Sequence, residues 1–244
     1  MTSFPDEISN DCGERIDVSL HAGEPGRRDL VVLGHGVTGN KDRPFLVALA
    51  KALADKGIAA LRISFSGNGN SQGEFAASTI TKEVADLGHV LDTLDGWNIA
   101  YVGHSMGGAV GVIRASQDPR IRLLVSLAGM VHTQDFAQRK FGESTPGQDC
   151  MWDKPDCPLS QAYMDDMASI ATVVEHGSGI TVPWFLVHGT EDTVVPLQDS
   201  LDILERARNT AELSELAGAD HVFTDDATPR MVEKVSEWLC KGFD

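Results

Sequence analysis

Along this chain, short apolar runs alternate with longer stretches in which apolar residues return every three or four positions. Residues 30–33, 58–63, 99–102, 121–127, 182–187 and 211–216 read as buried strands. The intervening stretches 43–56, 79–95, 106–117, 196–208 and 229–239 read as amphipathic helices; in the last, Met231, Val232, Val235, Trp238 and Leu239 share one face. Strand and helix in regular alternation predict an α/β fold, a mostly parallel sheet flanked by helices. Before it, residues 16–21 alternate apolar with polar and follow the turn Asn10-Asp11-Cys12-Gly13, which predicts an N-terminal hairpin.

The alternation breaks once. From 131 to 179, Pro146, Pro155, Pro158 and several glycines interrupt any long period. That stretch is too short to be a second domain, so residues 1–244 are expected to form a single domain with an insertion at 131–179. No internal repeat or low-complexity tract is present.

Composition narrows the function. With 42% hydrophobic and 23% charged residues, the chain has the make-up of an ordinary globular protein. Twenty Lys and Arg against 36 Asp and Glu give −16, a field that repels phosphate backbones and anionic headgroups, so neither nucleic acid nor a membrane is an expected partner. The start lacks a basic segment followed by an apolar one, and no run nears the roughly 18 apolar residues of a membrane span, so the expected location is cytoplasmic. Cys12, Cys150, Cys157 and Cys240 include no Cys-x-x-Cys pair, so no zinc site or other metal is expected; they read as free thiols, with pairing of Cys150 and Cys157 left open.

The pattern Gly-x-Ser-x-Gly occurs twice, at 103–107 and 69–73, so a bare match says little. Context separates the copies. Ser105 follows an apolar strand, is flanked by Gly103, Gly107 and Gly108, and leads into a helix, the arrangement that holds a nucleophilic serine on a sharp turn. Ser71 lies in a loop among Ser66, Gly67, Asn68, Gly69 and Asn70. A serine hydroxyl needs a base and a carboxylate to orient that base. Asp192 follows the 182–187 strand and His221 follows the 211–216 strand, at the sheet edge where α/β proteins gather functional groups. Glu191 and Asp220 are rival carboxylates, but one lies in a tight turn and the other adjoins the histidine; His104 sits inside the turn itself, and His21, His89, His132 and His176 lie away from this edge. The Gly-rich stretch 35–40 after the first buried strand can supply the Val37 N–H, and the elbow the Met106 N–H, as an oxyanion hole.

Together, the loop 35–41, the stretch 64–73, the elbow 103–108, the acid loop 188–196 and His221 resemble the α/β-hydrolase superfamily. Within it the chain is most similar to small-lid carboxylesterases of the cinnamoyl or feruloyl type and to serine aminopeptidase-like hydrolases. The resemblance implies a sheet of about seven or eight strands, Ser105 as nucleophile with Asp192 and His221, an oxyanion hole at Val37 and Met106, and a lid at 131–179 between the family's sixth and seventh strands. One departure stands out. Relatives read Asp-x-x-Gly-His-Gly after the fourth strand, where this chain has Ser64 and Asn68, positions that brace the loop.

The expected activity is cofactor-free hydrolysis of small-molecule carboxylic esters; an aminopeptidase or amidase on the same triad is the nearest alternative, and a non-catalytic binding protein the alternative from another class. Gly36, Trp152 and Tyr163 are expected to touch substrate, and Phe136, Phe141, Met151, Met164 and Met167 to line the pocket or tie the lid to the core. The 131–179 stretch carries eight carboxylates against Arg139, Lys140 and Lys154, a balance of −5. That charge predicts soluble short-chain or aromatic acyl esters as substrates and selects against esters bearing a free carboxylate.

Overall fold

The computed structural model describes residues 4, 5, 7–207 and 210–244; residue 208, at the end of the expected 196–208 helix, and most of the opening segment 1–6 lie outside these. The described chain forms a seven-stranded sheet: β1 (Asp17–His21), β2 (Asp29–Gly34), β3 (Ala59–Ser64), β4 (Asn98–His104), β5 (Ile121–Leu127), β6 (Trp184–Gly189) and β7 (Ala211–Leu216), in the order β1-β3-β2-β4-β5-β6-β7. Only β1 runs antiparallel, against β3. The expected hairpin is reduced to a turn closed by one bridge, Ser9 to Arg15, because β1 uses its edge to pair with β3.

Among the described residues there are eight α-helices: α1 (Pro44–Asp55), α2 (Ile80–Asp92), α3 (Met106–Ala115), α4 (Thr133–Phe141), α5 (Gln161–Ile170), α6 (Val174–Gly177), α7 (Leu197–Arg206) and α8 (Ala227–Phe243). Alternate strand residues feed two cores. Val31, Leu33, Ala60, Val102, Val125 and Val187 pack on α1 and α8, while Leu30, Val32, Leu61, Tyr101, Leu124 and Leu186 pack under α2, α3, α7 and the insertion. With both faces covered, β2 and β3 are buried along their whole length.

Two boundaries moved for clear reasons. β6 starts at Trp184 rather than 182, because Pro183 has no N–H to give the ladder. α8 begins two residues before the expected 229, since Pro229 lies in its first turn, where amides have no intrahelical acceptor. Among the described residues no helix is long and apolar enough to cross a membrane.

The strand order fixes the site. Chain direction across the sheet reverses between β2 and β4, which lie side by side with Gly34 opposite Gly103. Crevices form at the carboxyl ends of strands at such a switch point. The loops following β2 and β4 therefore emerge together, and those following β6 and β7, paired through Gly189 and Leu216, open on the same edge.

Candidate active site

Ser105 sits between β4 and α3 with φ 53° and ψ −118°, a conformation that costs an L residue free energy and is held by its surroundings. Its N–H donates to the Leu127 carbonyl at 3.0 Å, and its own carbonyl accepts from Gly108 at 2.8 Å and Met130 at 2.9 Å. The glycines are demanded by contact: a Cβ on Gly103 would lie 2.1 Å from the Gly107 carbonyl oxygen, and one on Gly107 would lie 2.4 Å from that of His35. Gly36 is the same case from the other side, since a Cβ there would come within 2.7 Å of the Ser105 Cβ.

Behind the elbow lies Asp192, whose side chain is wholly buried. Its Oδ1 accepts the Val194 and Val195 N–H groups at 2.8 and 2.9 Å; its Oδ2 lies 2.7 Å from His221 Nδ1 and 3.2 Å from His188 Nε2. Burial pushes this carboxyl up, but the hydrogen bonds from His188 and His221, the His221 charge and the backbone donors outweigh it and hold the group well below the usual carboxylate range. It is an anion at neutral pH.

Four histidines crowd this edge, and their partners sort them. His35 Nδ1 donates to the Gly36 carbonyl at 2.8 Å and its Nε2 accepts from the Phe65 N–H at 3.1 Å, so both nitrogens are used; burial lowers its pKa to about 4. His188 is spent likewise, with Nε2 toward the Val195 carbonyl at 3.0 Å and Nδ1 toward Ser200 at 2.8 Å. His104 packs edge-on against Phe45 and donates Nε2–H to the His221 carbonyl at 2.8 Å; burial first, then the His221 charge, push its pKa far down. All three are struts, and the lowered pKa values keep His35 and His104 neutral at pH 7. His221 is different: Asp192 takes Nδ1, and among the described residues Nε2 has no protein partner.

One cleft, about 150 Å³ in volume, is lined by Ser105 and His221 together with Gly36, Val37, Thr38, His104, Trp152, Val194, Val222 and the cations Arg43 and Lys154. Val37 lines this cleft and Met106 follows Ser105 at the start of α3; neither amide donates to an acceptor among the described residues. Of the residues expected to touch substrate, Gly36 and Trp152 line the cleft. Tyr163 does not: it is buried within the insertion, its ring 6.0 Å from that of Phe141. Phe136, Phe141 and Met167 are core residues too, because α4 and α5 pack their apolar faces together, and Met151 from the segment between them joins the same core. Ser71, in the second Gly-x-Ser-x-Gly copy, is a staple; its hydroxyl donates to the Ser64 carbonyl at 2.6 Å and accepts the Asp17 N–H at 2.8 Å. Sequence reasoning did not single out Arg43 or Lys154 for the cleft, nor His35 and His188 as struts. All four adjoin strand-end or turn motifs, and only that position marks them.

No cluster of His, Cys, Asp or Glu among the described residues has the arrangement of a metal site, and the four cysteines are free thiols. The seven-stranded sheet, the strained serine between β4 and α3 and the carboxylate–histidine pair at the same edge make up the arrangement of the α/β-hydrolase fold. The serine aminopeptidase S33 family matches residues 25–145. Mouse palmitoyl-protein thioesterase ABHD10, a mitochondrial protein, is 27% identical over 192 residues, 74% of this chain and 64% of the relative, so the matched region spans less than two thirds of that protein. Among solved structures, Est1E from Butyrivibrio proteoclasticus with ferulic acid bound superposes with a TM-score of 0.86 at 24% identity, covering 98% of this chain and 99% of that one. Mouse ABHD10 itself gives a TM-score of 0.80 at 19% identity over 97% and 98%. At these identities the superpositions establish the fold.

Proposed function

We propose that this chain is a serine esterase that hydrolyses soluble carboxylic esters of short or aromatic acyl groups through a Ser105–His221–Asp192 triad. The observation that carries the reading is the Asp192–His221 contact of 2.7 Å, which leaves the histidine's other nitrogen free in the same cleft as a strained serine. His221 Nε2 takes the Ser105 proton as Oγ attacks the ester carbonyl. Asp192 holds the Nδ1–H tautomer and stabilises the imidazolium. The oxyanion that forms is received by the Val37 and Met106 N–H groups. Collapse expels the alcohol, which leaves with the proton from His221; water, activated by the same nitrogen, then releases the acid and restores Ser105. None of these steps needs a cofactor.

The size of the cleft supports short acyl groups. Its 150 Å³ falls below the roughly 300–1,000 Å³ of pockets that enclose larger ligands, so a long chain would lie outside it. The name of the ABHD10 relatives extends the same chemistry to thioesters, which the triad would attack in the same way. An aminopeptidase is less well supported, since the cleft lining has no exposed carboxylate for a substrate ammonium and carries two cations instead. A cytoplasmic location accords with four free cysteines.

The test is labelling with a fluorophosphonate followed by peptide mapping, alongside turnover of p-nitrophenyl esters of increasing acyl length and of aminoacyl p-nitroanilides. Label on Ser105, activity highest on acetyl or butyryl esters and loss of both in Ser105→Ala support the reading. No label, or Ser105→Ala with wild-type turnover, overturns it.

A further inference from the structure

In a chain of net charge −16, the cleft that holds Ser105 and His221 is lined by two cations. Arg43, the residue before α1, and Lys154, from the turn after the short helical segment Met151–Asp153, reach it from separate parts of the chain and meet at Thr38. Arg43 Nη2 donates to the Thr38 carbonyl and Lys154 Nζ to the Thr38 hydroxyl, each at 3.3 Å. Those are long contacts with neutral acceptors. They use one of the five N–H donors of the guanidinium and one of the three of the ammonium. Among the described residues neither cation has a carboxylate partner, although 36 Asp and Glu are present. Two like charges lining one small cleft without a counter-ion are unfavourable, and an anion bound in that cleft relieves the repulsion.

The negative balance of the 131–179 segment predicts the opposite preference, but none of its eight carboxylates lines the cleft and four are paired elsewhere. Asp166 accepts from Thr81, Asp165 from Gln161 and Asp149 from the Thr145 N–H, and Glu175 pairs with Arg206. Asp42, next to Arg43 in sequence, is turned to Lys41 and Arg62. Asp153, beside Lys154, is exposed and lies outside the cleft lining. Charge counted along the sequence therefore has the wrong sign for the cleft itself.

We propose that Arg43 and Lys154, set about Thr38, form a subsite for a free carboxylate carried by the substrate, so that half-esters of short dicarboxylic acids are preferred over neutral esters of the same size. The planar guanidinium suits a carboxylate in a two-pronged contact, and the ammonium adds a point charge from the opposite side. The subsite lies in the cleft with the nucleophile, so a carboxylate held there orients the reacting carbonyl toward Ser105. Trp152, also in the lining, offers its indole to the apolar spacer between the two ends.

This proposal rests on the esterase reading above, and the experiment separates the two. Monophenyl adipate and its methyl ester share one scissile phenyl ester and differ only in the free carboxylate. Phenol release gives kcat/KM for each at low ionic strength. Wild-type protein is expected to favour the half-ester by about tenfold, the combined effect of two partly exposed charge contacts of a few-fold each. The preference should shrink in 0.5 M salt, where screening extends over only a few ångströms. In Arg43→Gln/Lys154→Gln the ratio of the two kcat/KM values should fall to about one. Lys154→Gln alone, an exposed change that leaves the fold undisturbed, should lower the ratio by roughly threefold. Equal or faster turnover of the methyl ester by wild-type protein would overturn the subsite, and so would a preference that survives the double substitution. Failure to turn over p-nitrophenyl butyrate would remove the underlying esterase reading and the subsite with it.

Discussion

Replacing Asp192 by Asn removes a charge and almost no volume, and the hydrogen bonds dictate how the amide must sit. Two backbone donors, the Val194 and Val195 N–H groups, point at Oδ1, so the amide oxygen takes that place and the NH2 group turns toward His188 and His221. His188 cannot receive it, because its Nε2 hydrogen goes to the Val195 carbonyl and its Nδ1 is taken by Ser200. His221 can, but only as the tautomer with a bare Nδ1 and the hydrogen on Nε2. That form has no lone pair facing the cleft for the Ser105 proton. The expected loss in kcat is about 10⁴-fold, the scale set by a wrong-tautomer histidine in a serine triad. Stability should fall far less, by about 1–3 kcal/mol, since the backbone bonds survive and one charge-assisted contact to His188 is lost.

The assay is kcat/KM for p-nitrophenyl butyrate beside thermal unfolding at pH 7. A folded Asp192→Asn protein within tenfold of wild type would refute the reasoning, as would an activity loss that only tracks unfolding. Acid unfolding gives a second check. The folded-state pKa of Asp192 lies below its unfolded value, so this group contributes stability above about pH 4 that is lost as pH falls further. The Asn variant should lack that share.

Gly36→Ala should cost about 10²-fold in kcat/KM: its Cβ meets the Ser105 Cβ at 2.7 Å where ordinary contact begins at 3.4 Å, so Ser105 and the loop after β2 must part by about 0.7 Å, and wild-type turnover in that variant would contradict the packing. Ser71→Ala should leave turnover within about twofold of wild type while lowering stability by about 1 kcal/mol, read by denaturant unfolding; a dead enzyme would place the nucleophile at the other copy. His35 is buried with its pKa lowered from 6.5 to about 4, so its contribution to stability is complete above pH 6.5 and is lost as pH falls toward 4, by about 3 kcal/mol in all. His104 shifts in the same direction, and an unfolding free energy that stayed flat from pH 6.5 to 4.5 would show that neither ring is a neutral strut.

What the sequence made legible were features written in local pattern. The β4–Ser105–α3 elbow could be read because a buried strand, close-packed glycines and a helix must follow in that order, and Asp192 and His221 because each lies in the loop just after a strand. Features set by tertiary contact were hidden. α4 and α5 bury few apolar side chains, Phe136, Ala137 and Phe141 in one and Tyr163 and Met167 in the other, and which of their apolar residues are buried is set only when the two helices face each other. For the same reason Tyr163 looked available to substrate when it is core. The roles of His35, His104 and His188 depend on which carbonyls and amides meet each ring nitrogen, and the sign of charge in the cleft depends on where Asp166, Glu175 and Arg43 point.

The departure at Ser64 and Asn68 belongs with these tertiary effects. Ser64 ends β3 opposite Asp17 of β1, and an aspartate there would set two like charges directly across a strand pair, which destabilises it. Serine avoids the clash and keeps a brace, since its hydroxyl accepts the Lys41 N–H at 3.1 Å and so ties the loop after β2 to the end of β3. The buried carboxylate comes instead from Asp86 on α2. It accepts the Ser66 N–H at 2.9 Å and hydroxyl at 2.6 Å on one oxygen and the Asn10 amide at 2.9 Å on the other. Asn68 completes the loop by donating to the Ser66 carbonyl and to the Ser78 hydroxyl at 2.8 Å. Neither Ser64 nor Asn68 lines the cleft, so their substitution relocates the support of the loop and leaves Ser105, His221, Arg43 and Lys154 in the cleft lining.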